Sequence, residues 1–376
     1  MSGPVYLDYN ATAKVRPEAA GAVALALELG GNPSSTHAAG RAARALIESA
    51  RADVARLAGA RPQAVTFVSG GTEANALAIH SAIEAGAERI LVGATEHDAV
   101  RAPAEASGLP VEVWPVDGQG VADLDWLEAR LAAGGRALVC LMAANNETGV
   151  IQPVTRAAAL AHGAGAWLHV DAVQAAGKIE IDIEALGADT LALSAHKLGG
   201  PQGVGALIAS PRIALARLQH GGGQERGRRS GTENTPGIAG FGVAASLALA
   251  EIPALAEQAL WRDALADRLA SAGAEFLGED AERLPQTLCV ATPGFSAEVQ
   301  VMALDLAGVM ISAGAACSSG KVRPSQVVSA MGRADLAPYS VRISGGWAST
   351  AADWERCGEA WLEAFERQSV RRREFA

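Results

Sequence analysis

Short apolar runs alternate with Ala-rich stretches between about residues 60 and 210. The runs are AVTFVS, RILVGA, VEVWPV, RALVCLM, AWLHVD, TLALSA and GVGALIA. Strands that alternate with helices in this way are typical of a parallel sheet covered by helices. The pattern therefore predicts an α/β domain with a mainly parallel, seven-stranded sheet.

Helical patterns flank this region on both sides. Residues 17–29 and 38–58 are rich in Ala and Leu with Arg and Glu interspersed, and residues 236–273 have a similar composition. Such segments predict helices. Residues 285–376 mix strand and helix patterns, which indicates a smaller α+β domain.

The length of 376 residues and a hydrophobic content of 49% exceed what one ordinary domain needs. We expect a large domain over residues 15–255. The small domain is expected to combine residues 256–376 with an N-terminal arm, residues 1–14.

A formal net charge of −10 argues against a direct nucleic-acid partner, because phosphate backbones attract basic surfaces. No run approaches the roughly 20 uninterrupted apolar residues of a membrane helix. The start MSGPVYLDYN lacks the pattern of a signal peptide. We therefore expect a cytoplasmic protein with no membrane partner.

Four cysteines, at positions 140, 289, 317 and 357, are widely scattered. They form no CxxC and no His pairing at metal-ligand spacing, so neither a disulfide framework nor a metal site is predicted. Cys140 and Cys289 lie in apolar runs and are expected to be buried. Cys317 lies in ISAGAACSSGKVRP, where small residues predict a mobile loop and an accessible thiol.

The segment VSGGTEANALAI carries Gly70, Gly71 and Thr72 between a β-run and a helical stretch. Free N–H groups and a hydroxyl at a helix N-terminus form an anion site. Taken alone, the Gly-Gly pair is more often only a tight turn.

Two charged residues follow neighbouring β-runs. Asp171 closes AWLHVD, and Lys197 follows TLALSA beside Ser194 and His196. Each has a plainer interpretation, a helix cap for Asp171 and a surface lysine for Lys197. Together at strand ends they favour a lysine that forms a Schiff base and an acid that pairs with a pyridinium nitrogen.

Ten blocks occur in order along nearly the whole chain: YLDYNAT, NPSSTH, SGGTEAN, TEHDAV, NNETGVIQP, HVDAVQ, SAHKLGGPQGVG, HGGGQERGRRSGT, SAGAACSSG and VRISGGWAST. With them the chain closely resembles the NifS/IscS-type cysteine desulfurases. These belong to the class V aminotransferase group of fold-type I enzymes, which depend on pyridoxal 5'-phosphate. The resemblance implies that fold and that cofactor.

The resemblance also implies roles for single residues. Lys197 would carry the cofactor and shuttle the substrate α-proton. Asp171 would pair with the ring nitrogen, Gln174 would hydrogen-bond the ring hydroxyl, and His97 would stack on the ring and act as an acid or base. A satisfied structural histidine is the plainer interpretation of His97.

The phosphate would be held by Gly71, Thr72, Ser194 and His196. Thr232, in RRSGT, would reach it from the other subunit, which implies a homodimer with sites at its interface.

Asn146, beside the cofactor, and Arg342 would bind the substrate α-carboxylate, since a guanidinium fork makes two parallel bonds to a carboxylate. Arg342 could instead be a surface arginine on an edge strand. Cys317 would take sulfur from L-cysteine, leave L-alanine, and pass its persulfide to an acceptor such as an iron–sulfur scaffold or a thiolation carrier.

Two other functional classes stay open. Another class V enzyme, an aminotransferase or a selenocysteine lyase, would use the same cofactor residues, although an aminotransferase has no need of a loop cysteine. A scaffold that kept the fold and lost the chemistry would bind no cofactor.

Overall fold

The computed structural model describes residues 3–314 and 324–374, with side chains up to residue 370. A short strand, β1 (Val5–Tyr6), opens the chain, and helices α1 (Pro17–Leu29) and α2 (Ala38–Leu57) follow. Pro at the first helical position starts α1. Both helices lie where the sequence predicts them.

A seven-stranded sheet forms the centre of the larger part of the molecule. Its strand order is β2-β8-β7-β6-β5-β3-β4, and every neighbouring pair is parallel except the two that involve β8. This confirms the predicted mainly parallel sheet. The strands are β2 (Val65–Val68), β3 (Arg89–Gly93), β4 (Val111–Trp114), β5 (Ala137–Cys140), β6 (Trp167–Asp171), β7 (Thr190–Ser194) and β8 (Gly205–Ala209).

Helices occupy the connections between these strands, as expected where parallel strands need crossovers. Because the parallel strands all point the same way, the loops at their carboxyl ends gather along one edge of the sheet. The helices are α3 (Gly71–Glu84), α4 (Asp98–Glu105), α5 (Leu124–Ala132), α6 (Val154–Gly163) and α7 (Ile183–Leu186).

Helices α8 (Thr235–Ala256) and α9 (Gln258–Ala270) fill the predicted helical segment, with Glu257 between them. In the described chain, α8 is the one helix whose length and mean hydropathy of 1.8 would suit a membrane span. Half of that stretch is buried. Phe241 and Ala244 of α8 belong to the main apolar core, so packing inside the protein accounts for this composition.

The remaining elements build two small sheets. One has the order β12-β13-β10-β9 and is antiparallel, and the other pairs β1 with β11 in parallel. The elements are β9 (Glu275–Phe276), β10 (Thr287–Ala291), α10 (Ala297–Leu306), β11 (Val309–Met310), β12 (Ser312–Ala313), α11 (Gln326–Ala330), β13 (Ser340–Ser344) and α12 (Ala351–Glu374).

The two largest clusters of buried apolar side chains follow this division. The first surrounds the seven-stranded sheet and runs from Ala19 to Leu284 along the chain. The second includes Val5 and Leu7 together with side chains between Leu265 and Ala364. The N-terminal strand therefore packs with the C-terminal elements and not with the large sheet.

Candidate active site

Asp171 and Lys197 lie at one edge of the large sheet. Asp171 is the last residue of β6, and Lys197 ends the short turn of helix Ala195–Lys197 that follows β7. Since β6 and β7 are parallel neighbours, both side chains reach the same edge. The interpretation of Lys197 as an ordinary surface lysine is therefore wrong, because Lys197 lies in a cavity. Asp171 is 7% exposed and lines the same cavity.

The N-terminus of helix α3 lies at the same edge of the sheet. Helix α3 begins at Gly71, and its N-cap residue Gly70 supplies no side-chain bond to the first N–H groups. A Cβ on Gly71 would lie 2.9 Å from Cγ2 of Val173. Glycine is therefore needed here for the helix to come close to the loop after β6, and the exposed N–H groups favour an anion.

These elements enclose what we call the inner cavity, with a volume of about 210 Å³. It brings together nine of the predicted cofactor residues. The lining side chains include Gly71, Thr72, His97, Asn146, Asp171, Gln174, Ser194, His196 and Lys197, and also Asn75 and Met142.

The Lys197 ammonium is held against the N-terminal segment of the chain. Its Nζ donates to the carbonyl oxygens of Asn10 and Ala11, the latter at 2.8 Å. Burial and, to a smaller extent, the charge of Arg342 lower the pKa of Lys197 to about 8, while Asp8 and Asp171 oppose the shift. An amine with this pKa is uncharged in an appreciable fraction of molecules near neutral pH.

The Asp171 carboxylate accepts two hydrogen bonds, from Nδ2 of Asn75 at 2.8 Å and from the N–H of Val173 at 2.9 Å. Burial raises the pKa of Asp171 above its ordinary value, and these donors together with His97 and Lys197 offset only part of that rise. A cation placed against Asp171 would favour its ionised form in the same way.

Behind Asp171, Asn75 is fixed by His169. Nε2 of His169 lies 2.9 Å from Oδ1 of Asn75, and Nδ1 lies 2.8 Å from the Thr190 hydroxyl. Burial lowers the pKa of His169 to about 3, so the ring is neutral. His169 therefore donates to the Asn75 oxygen, and the Asn75 amide nitrogen is directed at Asp171.

A second buried acid, Glu96, lies near Asp171. Its Oε1 accepts from the N–H of Met142, while its Oε2 has no partner. Burial raises the pKa of Glu96, and the charge of Asp171 raises it further. Since Asp171 has more donors, Glu96 is the acid that holds the proton of the two.

His97 is the N-cap of α4, and its Nδ1 accepts from the N–H of Ala99 at 3.0 Å. The structural role considered for this histidine is therefore present. It leaves Nε2 uncommitted, and the exposed ring lines both the inner cavity and its neighbour.

His196 and Gln174 line the inner cavity together with Lys197. Nδ1 of His196 lies 3.2 Å from the Thr12 hydroxyl, and burial lowers the pKa of His196 to about 4. Gln174 donates from Nε2 to the Asn10 carbonyl at 2.9 Å and accepts from Lys178 at 2.8 Å.

A neighbouring cavity of about 300 Å³, the outer cavity, shares His97, Asn146, Gln174 and Lys197 with the inner one. It adds side chains from distant parts of the chain, including Asp98, Glu147, Gly314, Pro324, Gln326, Val327 and Arg342.

Arg342 is 4% exposed and lies on β13, between β12 and β10. The alternative of a surface arginine on an edge strand is therefore wrong. The guanidinium donates to Oδ1 of Asp8 at 2.6 Å and to the Asn146 carbonyl at 3.2 Å, while its buried Nε has no partner. A cation with an unused donor thus lines the outer cavity.

One described residue of the predicted site, Thr232, lines neither of these cavities. Thr232 is exposed and lines a separate cavity of about 240 Å³ with Ser69 and Glu225, so its contribution from another subunit stays a prediction. Cys317 and the loop expected to be mobile lie outside the described residues. The buried positions of Cys140 and Cys289 confirm their predicted packing role.

Sequence reasoning assigned no role to Asn10, Asn75, Glu96 or Lys178. The first three lie inside the motifs YLDYNAT, SGGTEAN and TEHDAV, so their presence was visible. The contact of Asn75 with Asp171 joins residues 96 positions apart, and that of Asn10 with Gln174 joins residues 164 positions apart, which no local pattern specifies.

The family model for class-V aminotransferases matches residues 5–356 of the chain. A cysteine desulfurase of Cereibacter sphaeroides is 44% identical over 363 residues, which cover 94% of this chain and 93% of the relative. A solved NifS-like protein from Rickettsia africae has a TM-score of 0.89 at 33% identity, covering 96% of this chain and 99% of that one.

A further solved structure, described as SspA in complex with cysteine, has a TM-score of 0.76 at 28% identity and covers 90% of this chain and 98% of that one. The sheet order, the lysine and acid at its edge and these likenesses agree with one another. The chain therefore belongs to the class-V aminotransferase family and, within it, to the cysteine desulfurases.

Proposed function

We propose that the protein uses pyridoxal 5'-phosphate in the inner cavity to convert L-cysteine to L-alanine, and that the sulfur passes to Cys317 as a persulfide. The observation that carries the proposal is the juxtaposition of Lys197 and Asp171 across one cavity at the sheet edge. A lysine with a lowered pKa beside a buried acid is the pair that this cofactor needs.

The residues around the inner cavity fit the cofactor. The N-terminus of α3 with Gly71 and Thr72 suits a phosphate. Asp171 suits the ring nitrogen, because a protonated nitrogen supplies the cation that this buried carboxylate favours. Ser194 and His196 lie at the same end of β7 as Lys197, and neutral His196 can donate without adding charge. When bound, the ring draws electrons from the substrate α-carbon.

Lys197 would both hold the cofactor and move the α-proton. When it is not bound to the cofactor, its amine is able to act as a base near neutral pH, because a pKa lowered to about 8 leaves an appreciable fraction unprotonated. His97 would face the substrate with Nε2, since Nδ1 is committed to the helix cap. That nitrogen is able to take the proton of the substrate thiol.

The substrate would occupy the outer cavity with its carboxylate at Arg342. Asp8 and the Asn146 carbonyl orient the guanidinium, and its unpaired Nε remains available for the substrate. The relative described in complex with cysteine supports L-cysteine as the substrate. Asn146, which lines both cavities, would contact substrate and cofactor.

Cys317 would receive the sulfur. Its thiolate attacks the substrate Sγ, the Cβ–Sγ bond breaks, and the electron pair left on the carbon skeleton ends, after protonation, in the methyl group of L-alanine. Gly314 and Pro324, the described residues on either side of position 317, both line the outer cavity, which supports delivery of this cysteine to the substrate.

The finer assignments are part of the same proposal. Thr232 would complete the phosphate site of a partner subunit in a homodimer. The persulfide would go to a cytoplasmic acceptor, an iron–sulfur scaffold or a thiolation carrier. A large domain over 15–255 and a small one over 1–14 and 256–376 agree with the two apolar clusters, apart from Leu284, which packs in the first.

The test is L-alanine and sulfide formation from L-cysteine, with pyridoxal phosphate and a reductant. We expect both products from the native chain, and a loss of at least about a hundredfold in Cys317→Ser and in Lys197→Ala. The Cys317→Ser protein should keep the cofactor's visible absorbance, whereas Lys197→Ala should lose the band of the lysine-bound form.

Cys357→Ser is the matched control for the cysteine, because Cys357 is buried in the second apolar cluster and lines neither cavity. A native protein that binds pyridoxal phosphate and releases a keto acid in place of alanine would favour an aminotransferase. A protein that binds no pyridoxal phosphate would overturn the proposal.

A further inference from the structure

Lys178 is a buried lysine to which the reaction assigns no step. It is 6% exposed and follows the tight turn at Gly177. Its Nζ donates to Oε1 of Gln174 at 2.8 Å. Among the described residues no carboxylate lies within ion-pair distance of it, so it does not serve as half of a salt bridge. A buried amine without a counter-ion is costly, which calls for a specific reason to keep it.

Gln174 connects Lys178 to the cavity. The two ends of its amide differ: Oε1 faces Lys178, and Nε2 faces the Asn10 carbonyl, which also accepts from Lys197. Burial lowers the pKa of Lys178, and the charges of Lys197 and Arg342 lower it further. While Lys178 holds its proton, the ammonium can only donate, so the opposite orientation of the amide would set two donors against each other. Lys178 thus favours the orientation with the nitrogen towards the cavity.

We propose that Lys178 is a positioning residue that fixes the Gln174 amide so that its nitrogen, and not its oxygen, faces the cofactor ring. This inference rests on the proposed cofactor site. Nε2 carries two hydrogens, of which Asn10 takes one, and the second is available to the ring oxygen beside Lys197. Without Lys178, the Asn10 carbonyl alone would orient the amide, and Oε1 would be a buried acceptor without a partner.

The orientation matters because the ring oxygen is negatively charged in the bound cofactor. A donor against it stabilises the state in which the neighbouring lysine-derived nitrogen has lost its proton. The amide oxygen in that place would favour the protonated state. Lys178 therefore lowers the pH at which the visible absorbance of the loaded protein changes.

The same site contains other charges that act on this change. The charges of Lys197 and Arg342 lower the pKa of Lys178, and Lys178 in turn lowers the pKa of His196. The charges of Asp8 and Asp171 raise the pKa of Lys197. Removing the amine of Lys178 would raise the midpoint pH of the absorbance change in two ways. It removes a positive charge near the site, and it releases the amide of Gln174. A test must separate these two routes.

The experiment is a pH titration of the visible absorbance of the pyridoxal-phosphate-loaded protein in four chains: native, Lys178→Met, Gln174→Ala and the double variant. Methionine keeps the unbranched stem and removes a buried amine without a counter-ion, so the fold should tolerate it. We expect Lys178→Met to raise the midpoint by about one unit. In the Gln174→Ala background the same substitution should add less than about 0.3 unit.

Lys14→Met is the matched control, since Lys14 is exposed and lines neither cavity, and its midpoint should equal that of the native chain. An equal shift in both backgrounds would mean that Lys178 acts as an independent charge and would overturn the proposal, as would no shift. A native protein without a titrating band would overturn the cofactor site and this inference with it. A native band that titrates beside an unshifted Lys178→Met variant defeats the inference alone.

Discussion

The inner and outer cavities differ in how the chain builds them. Every described residue that lines the inner cavity comes from positions 71–197, on the strand ends, loops and helices of one sheet. The outer cavity joins that edge to Asn10 and Ala11 near the N-terminus, to Gly314 and to residues between Pro324 and Arg342. A rigid sheet can hold a cofactor, whereas the substrate contacts depend on the approach of distant segments. Substitutions in the two cavities should therefore change different measurements.

The largest effect is expected for Asp171→Asn in the inner cavity. The amide has nearly the same shape but cannot balance a protonated ring nitrogen, so the ring accepts electrons less well. We expect kcat for alanine formation to fall by about 10²–10³, with a changed visible spectrum of the bound cofactor. Steady-state kinetics and absorbance of the loaded protein measure both.

Asp123→Asn is the control for that substitution. Asp123 is exposed and caps α5, where asparagine caps as well as aspartate. Unchanged kcat in Asp171→Asn would contradict the role of this carboxylate, since no other acid at the sheet edge is expected to be ionised beside it.

A smaller effect of a different kind is expected for Arg342→Lys in the outer cavity. Lysine keeps the charge but loses the fork and the Nε donor. We expect KM for L-cysteine to rise by about 10–100-fold, while the cofactor spectrum stays native. Arg333 is a partly exposed arginine that pairs with Glu275 and Asp335 and lines neither cavity, so Arg333→Lys provides the matched control. A changed cofactor spectrum with native KM would reverse the assignment of the two cavities.

The same contrast explains what the sequence could predict. The seven strands, α1 and α2 were predictable because their apolar patterns are local and each run is bounded by turns. Asp171, Lys197 and Gly71 were predictable as site residues because each follows a strand, and strand ends of a parallel sheet meet at one edge.

Other features could not be predicted in this way. Arg342 looks like an edge-strand residue in VRIS, and only its pairing with both β12 and β10 buries it. Lys178 and Glu96 look like solvated charges, because nothing in their local sequence reveals that a cavity wall covers them. The antiparallel direction of β8 also depends on its neighbours β2 and β7 and not on its own residues.

The smallest expected effect is electrostatic: charges at the outer cavity change the pKa of Lys197 in the inner cavity. The amine of Lys197 reacts with pyridoxal phosphate only when unprotonated, so the rate at which the apoprotein binds this aldehyde should rise with pH to a plateau above about 8. Arg342 disfavours the protonated form of Lys197 and Asp8 favours it. Arg342→Gln should therefore raise the midpoint of this pH profile and Asp8→Asn should lower it, each by on the order of half a unit.

Stopped-flow absorbance of the apoprotein mixed with pyridoxal phosphate at a series of pH values measures this midpoint. The opposite signs are the decisive feature, because both substitutions break the same bond between Arg342 and Asp8. A purely structural disturbance of the outer cavity would move both midpoints in the same direction. Shifts of opposite sign would mean that the outer cavity, although built from distant segments, sets the protonation of the lysine in the inner one.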